Sequence, residues 1–281
     1  MPKELLSLKN DAVFKLTFGA ADNISLLTAF LKSVLDLPAA EYDHLVLVDP
    51  HLQREFPDDK MGILDVKIHT TTGKVIDVEI QVESQTDMWE RILFYTARLT
   101  TEQLRSGLDY KLVKKAISIV ILDWNLTEKQ SHYHHRFRLH DEKNNYRFPD
   151  LFEINTLELP KLPVEPDGTE IYNWLRLFTA TTREELEMVA KTSPEIAKTA
   201  SVIMELSEDE RTRMLAESQE KYRRDEFSRR KKAYLDGRQE ERLALVGNMF
   251  RLKMSPEAIA ETTGLSLEEV KALAAELPPE H

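Results

Sequence analysis

The 281-residue sequence contains no cysteine. That excludes a disulfide framework and thiolate metal sites, and it is compatible with a reducing cytoplasm. Glycine is scarce, at eight residues, while charged residues make up 31% of the chain, a balance that favours helix over an all-β architecture. No apolar run approaches the roughly 20 residues that a bilayer span requires, and Met1-Pro2-Lys3-Glu4 does not open a signal peptide. The expectation is a soluble, cytoplasmic protein with no membrane partner. Internal repeats and low-complexity segments are also lacking. The apolar share of 42% allows a sizeable core, in one large domain or one domain with an appendage. A net charge of −11 argues against nucleic-acid binding by the surface as a whole. Residues 221–232 run the other way, with seven cations against two acids. Such a segment meets phosphate or simply forms a solvated helical face of mixed charge.

The most informative stretch is 63–83. Ile63-Leu64-Asp65-Val66-Lys67-Ile68-His69 and Val75-Ile76-Asp77-Val78-Glu79-Ile80-Gln81-Val82-Glu83 both alternate with period two, so each has one apolar and one polar face. Leu64, Val66 and Ile68 share a face, as do Ile76, Val78, Ile80 and Val82. Joining the two apolar faces requires pairing of equal parity. A three-residue loop, Thr71-Thr72-Gly73, meets this with Gly73 in the left-handed position. The register sets Lys67 opposite Asp77, a favourable ion pair. It also sets Asp65 opposite Glu79, two like charges about 5 Å apart at Cβ, which repel. A divalent cation between them is the expected remedy, against the alternative of a solvated strand face.

Elsewhere the pattern predicts helices over 8–19 and from Asn23 to Leu35, with Asn23 as the cap of the second. A short strand follows over 44–49, then a polar loop with Pro57, and after the hairpin an amphipathic helix over 86–106 closed by Gly107. Ala116–Leu122 reads as a buried central strand, and His132–His140 and Leu151–Leu159 as further strands. Helices are expected over 171–178, 184–190 and 194–206, then a long charged helix over 208–252. The tail reads helix–turn–helix: Ser255 caps with Pro256 behind it, Gly264 turns, and Ser266 with Glu269 forms a capping box.

The polar face of the hairpin carries the chemistry. Asp65 and Glu79 with water and a phosphate oxygen suit Mg²⁺, for which Mn²⁺ substitutes, because Mg²⁺ takes oxygen ligands and keeps part of its hydration shell. Such an ion activates water and neutralises charge on a reacting phosphoryl group. Gln81, two residues beyond Glu79, projects to the same face and would orient the attacking water.

Asp65 and Glu79-Ile80-Gln81, with Asn10-Asp11-Ala12-Val13-Phe14-Lys15 upstream, resemble the PD-(D/E)XK nuclease superfamily, and within it the recombination-promoting, transposase-like nucleases of the Rpn type. The likeness runs over roughly residues 8–180, through Gln85, Arg91, Tyr95 and Gln103, the Ile119–Asp123 strand and Leu157-Glu158-Leu159-Pro160. It implies an α/β, restriction-endonuclease-like core, a mixed central sheet flanked by helices, followed by a helical C-terminal extension. It also implies an endonuclease that hydrolyses phosphodiester bonds of double-stranded DNA. Asp65, Glu79 and Gln81 would be catalytic, and Asp65 and Glu79 the metal ligands, with no other cofactor. Many superfamily members carry lysine where this chain has Gln81; a neutral amide holds water by hydrogen bonds but supplies no charge, which Lys67 or a second metal would have to compensate. Pro57-Asp58 is not the motif's opening pair, since it precedes the strand by several residues. Asp11 is a further acid, or merely a helix N-terminal acid favoured by the dipole. Lys67, Gln85, Arg91 and Tyr95 are candidate DNA contacts, although Gln85-Thr86-Asp87 equally starts a helix.

His132 and His134 share a strand face at a spacing zinc can use, but no acid or thiol is placed beside them, and an exposed basic edge is the preferred reading. The second tail helix offers only Lys271 as a cation, too few for groove reading, so the tail is read as a packing or homodimerisation element. The expected division is a nuclease-like domain over 1–180, a helical extension over 181–254 and the tail over 255–281. The rival to the enzyme is a catalytically weak or inactive DNA-binding or assembly protein on the same fold. A weaker third is a regulator acting through the tail.

Overall fold

The computed structural model describes residues 4–51, 64–104 and 106–277; Pro57, Asp58 and Ile63 lie outside them. The chain divides into two compact units, Met1–Gln219 and Glu220–His281.

The strands are β1 (Val46–Val48), β2 (Val66–His69), β3 (Val75–Gln81), β4 (Ala116–Leu122), β5 (His134–Arg138), β6 (His140–Asp141), β7 (Tyr146–Arg147) and β8 (Phe152–Glu158). Six of them form one sheet in the order β1-β2-β3-β4-β8-β5. β1, β2 and β3 pair antiparallel, β3, β4 and β8 parallel, and β5 closes the far edge antiparallel to β8. The expected mixed sheet is therefore present, and β4 has every residue buried, as a central strand between parallel neighbours requires. The β2–β3 hairpin has the register read from the sequence, Lys67 opposite Asp77, and Gly73 takes φ +89°, where a side chain would be strained. The alternation over His132–His140 does not make one strand. β5 ends at Arg138 and the chain leaves the sheet into the β6–β7 ribbon, whose turn is set by Asp141 Oδ1 accepting from the amides of Lys143 and Asn144.

The helices are α1 (Asp11–Phe18), α2 (Ile24–Val34), α3 (Met88–Thr101), α4 (Glu170–Thr179), α5 (Arg183–Ala190), α6 (Pro194–Glu208), α7 (Glu210–Arg251), α8 (Pro256–Thr263) and α9 (Leu267–Glu276). Asn23 precedes α2 but does not cap it; its side-chain amide donates instead to the Leu16 carbonyl, since a 3-10 turn over Ala21–Asn23 already leads into the helix.

One sheet face, carrying Ile68, Ile76, Val78, Ile80, Ile119 and Ile121, buries the aromatic cluster Phe14, Phe18, Phe30, Trp174 and Phe178 of α1, α2 and α4, and α5 and α6 add Leu186, Ile196, Ala200 and Ile203 to the same core. The other face lies under α3, where Met88 and Ile92 meet Val120, Leu122 and Ile154. Leu64 does not join Val66 and Ile68. It packs with Val75, Leu99 and Ala116, because the chain bends at Asp65 before β2 begins.

In the second unit, α8 and α9 close a small core with the end of α7, burying Val246, Ile259, Val270 and Leu273. Ser255 caps α8, Gly264 turns with φ +70°, and Ser266 and Glu269 form the capping box. Gly247 lets Leu277 approach, since a Cβ there would fall 2.9 Å from it. No helix among the described residues is long and apolar enough to cross a membrane.

Candidate active site

The polar face of β3 is not solvated. Asp77 is 1% exposed and Glu79 4%, because α3 covers that side of the sheet. Thr96 of α3 and Ser118 of β4 share a hydrogen bond of 2.8 Å across the same interface. Asp65 stands in the bend just ahead of β2, outside the ladder, and its Oδ2 accepts from the Ile80 amide at 3.0 Å. This contact turns the carboxyl toward β3.

α1 delivers the next groups. Asn10 caps it through the Ala12 and Val13 amides. Gln219, in the third turn of α7, also accepts from the Ala12 amide and donates to Asp11 Oδ2. Asp11 and Lys15, one turn apart, point to the same place. The Lys15 ammonium lies 3.0 Å from Asp11 Oδ1 and 3.1 Å from Asp65 Oδ1. Asp11 is thus both a first-turn acid of its helix and a neighbour of Asp65.

Burial pushes the Asp65 acid up to about 6, and the Asp11 carboxylate adds to the rise. Burial likewise pushes Glu79 up to about 7, with Asp65 the next contribution, while Arg91 and a hydrogen bond from Gln81 work in the opposite direction. Asp77 is held well above the usual carboxylate range by burial first, then by Glu79 and Asp65. Lys15 moves the other way for a cation: burial opposes its charge, but Asp65 and Asp11 outweigh it and raise its pKa. The cluster carries more acid than base, and each proton held by a carboxyl relieves the others.

The structure therefore brings together Asp11, Asp65, Glu79 and Gln81 and adds Lys15 and Gln219, to which the sequence reading gave no role. The signal for Lys15 was its spacing of four from Asp11; its approach to Asp65, fifty positions on, is tertiary. The expected ion pair of Lys67 with Asp77 does not form. Lys67 Nζ donates to Glu102 at 3.3 Å, at the end of α3 where the helix leaves an acid in reach, and Asp77 Oδ1 has no partner among the described residues. With a side chain only 13% exposed, Lys67 is poorly presented to a duplex. Arg91 lies over the Tyr95 ring, 5.2 Å from its centre, and Gln85 is half-buried in the loop between β3 and α3. His134 faces Asn155 and His135 faces Thr127 and Glu158. His132 is exposed and precedes β5, so it shares no strand face with His134, which lies in the edge strand half-buried.

A mixed sheet whose β2–β3 hairpin and first helix converge on carboxylates, with an amide two residues beyond the second acid, defines an α/β fold of the restriction-endonuclease-like kind. Residues 8–233 match a family model described as PD-(D/E)XK nuclease family transposase, and the chain belongs to that family. No curated protein and no solved structure matches it.

Proposed function

We propose that this protein is a divalent-metal-dependent endonuclease that hydrolyses phosphodiester bonds of double-stranded DNA in a recombination-promoting or transposase-like role in the cytoplasm. The observation that carries the reading is the meeting of buried Glu79 and half-buried Asp65 in one acidic cluster in a member of a nuclease family. Among the described residues no three His, Asp or Glu side chains form a ready-made metal cage. Mg²⁺ does not need one, since it commonly takes one or two carboxylates and completes its shell with water and substrate phosphate. Two carboxyls, one buried and one half-buried, whose ionisation is disfavoured by desolvation and by each other gain from such an ion, so the donor set fits. Asp65 and Glu79 would hold it, and when bound it would activate water and offset charge on the phosphoryl oxygens.

The chain's own residues do the rest. The Ile80 amide fixes the orientation of Asp65. Gln81 lies beside Glu79, whose pKa it lowers, and would hold the attacking water. Asp11 is the additional acid, and Arg91, Gln85 and Tyr95 on and before α3 are the groups assigned to DNA. Purified protein is expected to nick or linearise plasmid with Mg²⁺ or Mn²⁺ and not with EDTA. Asp65→Asn and Glu79→Gln should each slow this by at least about 100-fold. Equal cleavage by the wild type and both variants would remove the assignment.

A second reading is a DNA-binding or assembly protein of little or no turnover, pairing through its C-terminal helices. It is favoured by the neutral Gln81 and by the ammonium already resting on Asp65. DNA binding without any Mg²⁺ or Mn²⁺ binding at millimolar concentration would select it.

A further inference from the structure

The geometry points to Lys15 as a resident counter-ion that a divalent cation must displace from Asp65, an inference that rests on the metal-dependent reading above. The two oxygens of Asp65 have different duties. Oδ2 is spoken for by the main chain, through the Ile80 amide at 3.0 Å. Oδ1 is the oxygen left to face a ligand, and the Lys15 ammonium sits on it at 3.1 Å. The same ammonium holds Asp11 Oδ1 at 3.0 Å. A divalent ion and an ammonium repel strongly at the separation that sharing one oxygen would impose, so the two occupy Asp65 Oδ1 in turn.

The side chains permit the exchange. Lys15 is 36% exposed at its side chain, and its charge rides on a flexible four-carbon stem. It keeps Asp11 as an anchor one turn back on α1 when it releases Asp65. Gln219, which also holds Asp11, keeps the helix start in place meanwhile. Lys15 is thus a positioning residue. Without the ion it keeps two acids together that otherwise repel, and its departure is part of what the ion must accomplish to bind.

The consequence is a coupling of opposite sign to that of an ordinary supporting salt bridge. Titration of the 281-residue chain with Mn²⁺, followed by calorimetry, should give about tenfold tighter binding for Lys15→Met than for the wild type. Lys15→Arg, which keeps the charge, should stay near the wild-type affinity. In EDTA, Lys15→Met should melt below the wild type, and in saturating Mn²⁺ that gap should close or invert. If Lys15→Met folds poorly, Lys15→Gln provides the same comparison with a polar side chain. Binding in both proteins with equal or weaker affinity in the neutral variants, or a melting deficit of the same size with and without Mn²⁺, would overturn the inference alone. Absence of Mn²⁺ binding in every variant, wild type included, would overturn the metal reading and the inference with it.

Discussion

Asp77 lies directly across the hairpin from Lys67 but is not neutralised by it; the lysine is engaged by Glu102, and the aspartate is sealed beneath α3 with an oxygen unmatched among the described residues. A buried acid with no cation in contact favours its protonated form; burial and Glu79 impose that direction here and outweigh the opposing pull of Lys67 and Arg91. A raised acid contributes stability that is present below the ordinary carboxylate range and lost as pH climbs through the raised value. Asp77→Asn escapes that loss. Urea denaturation should show the variant gaining on the wild type as pH rises above the ordinary carboxylate range.

Glu79 follows the same sign with a defined window. Its pKa rises from the ordinary 4.5 to about 7 in the folded protein, so wild-type stability in EDTA should decline across that interval. Glu79→Gln should be the more stable protein above it, by on the order of 2 kcal/mol, and equal to the wild type below it. A variant that is less stable at every pH would show that Glu79 supports the fold and is not strained within it.

The hairpin loop offers the opposite case. Glu41 accepts from Thr70 Oγ1 at 2.6 Å and from Thr72 Oγ1 and is paired with Lys74. Despite the cost of burial, these partners hold its pKa down to about 2. A depressed acid gives stability above its unfolded value that disappears as pH falls through the folded one. Glu41→Ala should cost on the order of 2 kcal/mol near neutrality, and the difference from the wild type should vanish as pH falls from about 4.5 toward about 2. Thermal melts across that range check it.

The tail is held by few side chains. Ile259→Ala removes a fully buried residue from a small core and should cost about 2–4 kcal/mol there. Hydrogen exchange should show lost protection in α8 and α9, with β3 and β4 unchanged. Uniform loss across the chain would mean that the second unit does not unfold on its own.

What the sequence disclosed is what local rules control. The Thr71–Gly73 turn, the all-apolar β4 and the caps at Ser255, Gly264 and Ser266 each depend on residues within a few positions of one another. Asn23 failed as a cap because a preceding 3-10 turn took its place. Leu64 changed face because a bend interrupted the alternation. Period two shows that β3 has a polar face, but not that α3 lies over it, so nothing local told a buried acid from a solvated one. Nor did pattern place Lys15 against Asp65 or Gln219 against α1, since those meetings are made by packing.

The amide of Ile80 is a rung withheld from the sheet and lent to a side chain. Whatever replaces Asp65 inherits that debt: alanine would leave a main-chain donor stranded in the interior, a defect of about 1–3 kcal/mol unrelated to any reaction. Asparagine still offers an oxygen to it. A silent alanine variant at this position would therefore mix a weakened scaffold with lost chemistry, and only the amide variant separates them.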